Sequence, residues 1–307
     1  MAVMEEAVEE VAAPEEVNLV ELMNARARSY GMLARLFREE VDLPTLRELQ
    51  QMRFPQATGN AAADEGYHQL YDYLKRAWDD SVTELAIDYV STFIGHGVNG
   101  YSAAYPYESV YTSERRLLMQ EARAEVLATL RENELMRGSW NEAEDHIALE
   151  LEFMQRMALR AAEALDDAAE DEAVAYLRTS YDFLENHLLN WVPMLVADMR
   201  MHARTLFYQG LAQLTLGSLQ EDEAVLRELL DSVEASRLLM PPLRRGVPTL
   251  PIPSFFPLLC RPRPSSAGPT HFWARDRTTC GLICLRNERI RKAPIGAFLA
   301  GGLRGKD

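Results

Sequence analysis

Ser139–Met157, SWNEAEDHIALELEFMQRM, is the stretch that decides the fold: it puts five acidic residues and a histidine on a segment whose other positions are mostly apolar. Ile147, Leu151 and Met154, together with Leu149, Phe153 and Met157, recur at three- and four-residue spacing. Most of the circumference is then apolar, which predicts a largely buried helix. Ser139 with Glu142 has the form of a capping box and predicts the helix start there. Glu142, Glu144 and Asp145 would then lie in the first turns, where the positive end of the helix dipole favours them. Asp145 and His146 fall where burial begins. Both must find partners, because a buried polar group left unsatisfied costs about 1–3 kcal/mol.

Outward from this helix the same periodicity recurs. Leu19, Leu22, Met23, Ala27, Tyr30, Leu33, Ala34 and Phe37 form one stripe over 17–38. Asp42 and Pro44 start a short helix toward Met52, Asp64 is placed to cap a helix carrying Tyr67, Leu70, Leu74 and Trp78, and Ser81 with Glu84 forms a second capping box. Helices follow over 113–133, from Ser139 to about Leu165, and over 173–191, with Pro193 expected to kink or restart the chain. The last two are expected over 194–216 and 221–238, separated at Gly217-Ser218. No strand-like alternation competes with this pattern, so the fold class is all-α, a single bundle of about nine or ten helices. The exception is Gly95–Tyr111, GHGVNGYSAAYPYESVY, with three glycines, one proline and four tyrosines. A loop this long inside a compact domain is more often functional than decorative.

Charge divides the 307 residues unevenly: residues 1–239 hold 20 Lys and Arg against 44 Asp and Glu, whereas 240–307 hold 12 against 3. Nine of the fifteen prolines lie between Pro241 and Pro269. The expected organisation is an acidic leader (1–16), a helical domain (17–239) and a basic, Pro/Arg-rich tail (240–307), disordered or loosely packed. So abrupt a change is also what a shift of reading frame would produce. An acidic body argues against a nucleic-acid partner, whose phosphates demand clustered Lys and Arg. The N-terminus has neither the positive region nor the apolar run of a signal peptide, and no stretch reaches the roughly 20 apolar residues of a membrane span. A cytoplasmic protein without stable membrane insertion is expected.

The catalytic signatures weighed are missing. A carboxylate-bridged di-iron bundle needs Glu-x-x-His on two helices, but Ala143 and Leu184 stand three residues before His146 and His187. Cys260, Cys280 and Cys284 are one ligand short of an all-cysteine zinc site. There is no Gly-x-Ser-x-Gly elbow, phosphate loop or dinucleotide fingerprint. Neither an enzyme nor a metal or other cofactor is expected.

Tyr105-Pro106-Tyr107-Glu108-Ser109-Val110-Tyr111, Glu142-Ala143-Glu144-Asp145-His146 and the segment from Phe183 to Pro193, with Arg26, Tyr30 and Leu33 on the first helix, resemble in order the motifs of the TorD/DmsD/NarJ-type chaperones that mature molybdoenzymes. Ala143 stands where members of that family often carry proline. The resemblance implies a chaperone for a molybdopterin-containing oxidoreductase that binds its twin-arginine signal peptide, its apo form or both, and coordinates cofactor insertion with export. The implied peptide-binding residues are Tyr105, Pro106, Tyr107, Ser109, Tyr111, Glu144, Asp145 and His146. Asp145 would form the charge-assisted bond to a guanidinium, and the tyrosines, with Trp140, the aromatic wall. His187, Trp191 and Pro193 read as structural. A homodimer is compatible with the pattern. The plain alternatives are that His146 is a hydrogen-bonded core histidine, and that the chain is a helical adaptor that binds no signal peptide.

Overall fold

A computed structural model describes residues 18–55, 57–95, 103–239, 261–262 and 282–284. The expected leader and nearly all of the tail lie outside the described residues. Helices run in the order α1 (Leu19–Arg38), α2 (Leu43–Gln51), α3 (Ala61–Leu74), α4 (Ser81–Tyr89), α5 (Glu108–Thr112), α6 (Glu121–Glu132), α7 (Ile147–Asp166), α8 (Glu170–Phe183), α9 (Leu189–His202) and α10 (Leu206–Leu239). Two short strands interrupt them, β1 (Met52–Arg53) and β2 (Leu135–Arg137); each pairs antiparallel with a piece of the tail, β3 (Arg261–Pro262) and β4 (Leu282–Cys284) respectively. No described helix is long and apolar enough to cross a membrane.

Two helix pairs, α1 against α7 and α3 against α10, form the centre of the bundle. The second pair is close because of its glycines: a Cβ on Gly66 would lie 2.4 Å from the Leu214 amide nitrogen, and one on Gly217 2.3 Å from that of Ala63. Gly217 therefore serves contact between helices. The break expected at Gly217-Ser218 does not occur, and α10 runs through it. The real break is at 203–205, where the buried Asp88 of α4 accepts hydrogen bonds from the amides of Arg204 (3.0 Å) and Thr205 (2.8 Å) and from Thr205 Oγ1 (2.6 Å). A carboxylate from another helix thus caps α10.

Other boundaries also differ. Asp42 caps α2 as expected, accepting from the Thr45 amide, but α3 is capped by Asn60, while Asp64 accepts from the Thr58 amide. Ser81 is already the first residue of α4, and its hydroxyl accepts from the Trp78 amide, so no capping box forms with Glu84. The helix expected over 113–133 begins only at Glu121. Pro193 does not restart the chain: it lies inside α9. The adjustment lies one turn earlier, as a π-helical turn at Leu184–Leu188 closed by the Leu189 amide on the Leu184 carbonyl.

α1 is locked to α10 by a buried ion pair. Arg26 Nε and Nη2 donate to the two oxygens of Asp222 (2.5 and 2.9 Å), and the Tyr30 hydroxyl donates to the same carboxylate (2.6 Å). Removing one partner of such a pair strands the other charge, so Asp222→Ala is expected to cost about 3–5 kcal/mol. Urea unfolding checks this: the midpoint should fall with the slope unchanged, and Asp222→Asn, which keeps an acceptor, should lose less.

Candidate functional site

The chain from Ala103 to Pro106 returns to the bundle in extended form and meets the start of α7 at one point. Glu108 donates its amide to the Asp145 carbonyl (3.0 Å) and Ile147 donates to the Pro106 carbonyl (3.0 Å), so that Tyr107 lies opposite His146 in a single antiparallel bridge. This pairing corrects the expected helix start. Residues 139–145 form no helix, and α7 begins at Ile147 with His146 as its cap, its Nδ1 accepting from the Ala148 amide (3.0 Å). The backbone of Asp145 and Ile147 is engaged by the returning chain, and no helix starts at Ser139.

Asp145 is fully buried. Its Oδ2 accepts from the Ser109 amide (2.9 Å) and from the Ser109 hydroxyl, which in turn accepts from the Gln120 amide (3.1 Å). The carboxylate thereby caps α5 from outside it and folds part of the expected irregular loop into helix. The rest, residues 96–102, lies outside the described residues.

His146 is edge-on to Tyr107 (4.9 Å between ring centroids) and to Trp140 (4.8 Å). The Arg38 guanidinium lies 4.8 Å from the centroid of the Trp140 ring and donates to Glu152 (2.9 Å). Burial, reinforced by Arg38, pushes the His146 imidazole down to about 3. It is therefore neutral near pH 7, as an Nδ1 that accepts a hydrogen bond requires.

Beneath α5 lie two carboxylates that the sequence reading did not assign. Glu108 Oε2 is 2.9 Å from His187 Nδ1, and Glu150 Oε2 accepts from Trp191 Nε1 (3.0 Å). Burial, and then the neighbouring charge of Glu108, push the Glu150 carboxyl well above the usual range. Tyr111 stacks on Trp191 at 5.5 Å and 26°. The available clue was placement: Glu150 follows His146 by four residues on an apolar helix, and Glu108 sits between two aromatic motif positions.

On the outer side, the Tyr107 hydroxyl donates to Glu142 and the Tyr111 hydroxyl to Asp198 (3.1 Å). The tyrosines are four residues apart, about one helical turn. Glu142 and Asp198 are half-buried, and neither is in an ion pair among the described residues. Glu144, by contrast, is engaged by Arg123 (2.6 Å) and Arg137 (3.7 Å). Tyr105 is half-buried and Pro106 buried. The structure thus brings Tyr107, Ser109, Tyr111, Asp145 and His146 together. No group of three or more His, Cys, Asp or Glu among the described residues is arranged to hold a metal.

The family model described as nitrate reductase delta subunit matches residues 58–197, which include Tyr107, Ser109, Tyr111, Glu142, Asp145 and His146 and end one residue before Asp198. The chain is 30% identical to the chaperone protein TorD of Photobacterium profundum over 163 residues, 53% of this chain and 72% of that one. It is 28% identical to the TorD of Vibrio parahaemolyticus over 214 residues (66% and 94%), and 28% identical to that of Shewanella sp. strain MR-4 over 221 residues (69% and 98%). The helical bundle and these relatives, with the clamp formed where Asp145 and His146 hold the Tyr107–Ser109 segment, fit one class, the chaperones of redox enzyme maturation. The chain belongs to the TorD/NarJ-type chaperone family.

The clamp makes stability depend on pH in a stated direction. His146 is depressed in the folded state, so its contribution is complete above the unfolded value of about 6.5 and is lost as pH falls from there toward about 3. Glu150 is raised, so it works the other way: its penalty is absent below the unfolded value and grows as pH rises. Subtracting a His146→Asn variant, which keeps a capping acceptor, isolates the first effect. The stability difference between wild type and variant should shrink by about 1.4 kcal/mol per pH unit below 6.5, measured by denaturant titration at several pH values.

Proposed function

We propose that this protein is a cytoplasmic chaperone for a molybdopterin-containing oxidoreductase and binds that client through its twin-arginine signal peptide before cofactor insertion and export are complete. The observation that favours this reading is the pair of tyrosine-held carboxylates, Glu142 and Asp198, both half-buried and without ion-pair partners among the described residues. Two consecutive arginines need two such acceptors, and a planar guanidinium suits a carboxylate that is already oriented. Tyr107, Tyr111, Tyr105 and Trp140 offer aromatic faces for the arginines and for the apolar residues that follow them.

In this reading Asp145, His146 and Ser109 act by position. Asp145 is fully buried with its Oδ2 given to Ser109, so it holds α5 and its tyrosines and leaves the guanidinium to Glu142 and Asp198. Pro106 and Glu144 support the same segment. The acidic domain, 44 acidic against 20 basic residues over 1–239, favours approach of a basic leader. The apo-enzyme body is a second contact of the same client.

Titration calorimetry with a synthetic twin-arginine peptide tests the proposal. Glu142→Gln with Asp198→Asn should weaken binding at least about tenfold, or 1.4 kcal/mol, without changing the melting temperature. Asp145→Asn with His146→Leu should weaken it at least as much through the loosened clamp, with far-ultraviolet helicity unchanged. Replacing the two arginines by lysines should also weaken binding. Equal affinity for a peptide lacking both arginines would favour a general helical adaptor instead.

A further inference from the structure

Between α5 and α6 the chain makes a short excursion, Ser113–Gln120, whose ends are both tied to Ser109: the Ser113 amide donates to its carbonyl (3.2 Å) and the Gln120 amide to its hydroxyl (3.1 Å). The tip is Arg115-Arg116-Leu117-Leu118-Met119. All five residues are exposed, with Leu117 at 51%, Leu118 at 47% and Met119 at 64% of full accessibility. A run of three large apolar side chains in water is unusual for a folded surface. Arg116 and Met119 also hold left-handed backbone conformations (φ 51° and 60°), rare for residues other than glycine. Neither arginine is in an ion pair among the described residues, although the domain around them is strongly acidic.

This tip has the chemistry that the proposed site recognises: two consecutive arginines followed by apolar residues. It begins four residues after Tyr111, and the Arg116 guanidinium is near enough to act on the Tyr111 hydroxyl, so the basic–apolar knob borders the acceptor. A two-fold interface needs this, because the same patch on each copy must supply both halves. All five tip residues are exposed, and among the described residues neither arginine is in an ion pair with Glu142 or Asp198 of its own chain.

We propose that Arg115–Met119 of one copy docks on the Tyr107–Tyr111 surface of a second copy, forming a two-fold dimer that the client's signal peptide dissociates by taking the same acceptors. Glu142 and Asp198 receive Arg115 and Arg116 across the interface, and Leu117 and Met119 cover the aromatic faces. The dimer keeps the peptide site covered until a client arrives. The inference rests on the proposed function for the chemistry of the site.

Analytical ultracentrifugation of the full chain across the micromolar range provides the test, with and without excess twin-arginine peptide. The wild type should dimerise reversibly, and the peptide should convert it to monomer. Arg115→Glu with Arg116→Glu, and separately Leu117→Ser with Met119→Ser, should each weaken dimerisation at least about tenfold with far-ultraviolet helicity unchanged. Both variants should still bind the peptide, at least as tightly as the wild type does. Mixing the Arg115→Glu, Arg116→Glu chain with a Glu142→Lys, Asp198→Lys chain should restore a dimer. A wild type that stays monomeric, a dimer that survives both tip variants, or a dimer that binds peptide without dissociating would overturn the docking while leaving peptide recognition intact. Failure of every form to bind peptide would instead overturn the proposed function, and with it the competition claimed here.

Discussion

One buried carboxylate organises the functional end of this molecule. Asp145 lies where the chain enters α7, fully removed from water, and satisfies Oδ2 with the amide and hydroxyl of Ser109, which is distant in sequence. A charge in that position is tolerated only if it is bonded, so the segment carrying Ser109 must lie against α7. Once it does, α5 is capped, Tyr107 is opposite His146, and Tyr111 lies on Trp191. The aromatic and acidic outer surface is thus a consequence of an inner hydrogen bond, and for that reason the motif residues are mostly hidden.

The protonation states under α5 follow from the same burial. His146 is neutral because it accepts from the Ala148 amide in a dry site beside Arg38, and burial, followed by the neighbouring Glu108, pushes the Glu150 carboxyl well above the usual range. An ionised Glu150 would put two carboxylates together below a helix of five residues. On the outer side of the site Glu142 and Asp198 are fixed by tyrosine hydroxyls. Half-exposed carboxylates of this kind form and break ion pairs at modest cost.

The frame beneath is held by two further buried acids. Asp222 ties α10 to Arg26 and Tyr30 of α1, and Asp88 caps α10 from α4. Along with the glycine contacts between α3 and α10, these fix the helices against which α7 and α9 present the site. Family resemblance at Arg26 and Tyr30 therefore reflects architecture: both residues are buried and far from solvent.

Local periodicity was enough to establish an all-helical bundle, since the apolar stripes on α1, α3, α7 and α8 record which faces avoid water. Ordered motifs were enough to suggest the family, and Asp145, His146, Tyr107 and Tyr111 were visible as a group before any coordinates. Helix ends were less legible. Capping depends on which acceptor reaches an amide in space, so Ser139 and Ser81 looked like caps and are not, while Asp88, remote in sequence, caps α10. Burial was hidden for the same reason: nothing local to Asp145 shows that Ser109 will cover it, or that Glu142 and Asp198 will be the carboxylates left facing outward. Sequence determined the secondary structure and the chemical inventory through short-range periodicity, whereas only tertiary contact, by deciding which polar groups lose water, separated those buried inside from those left facing outward.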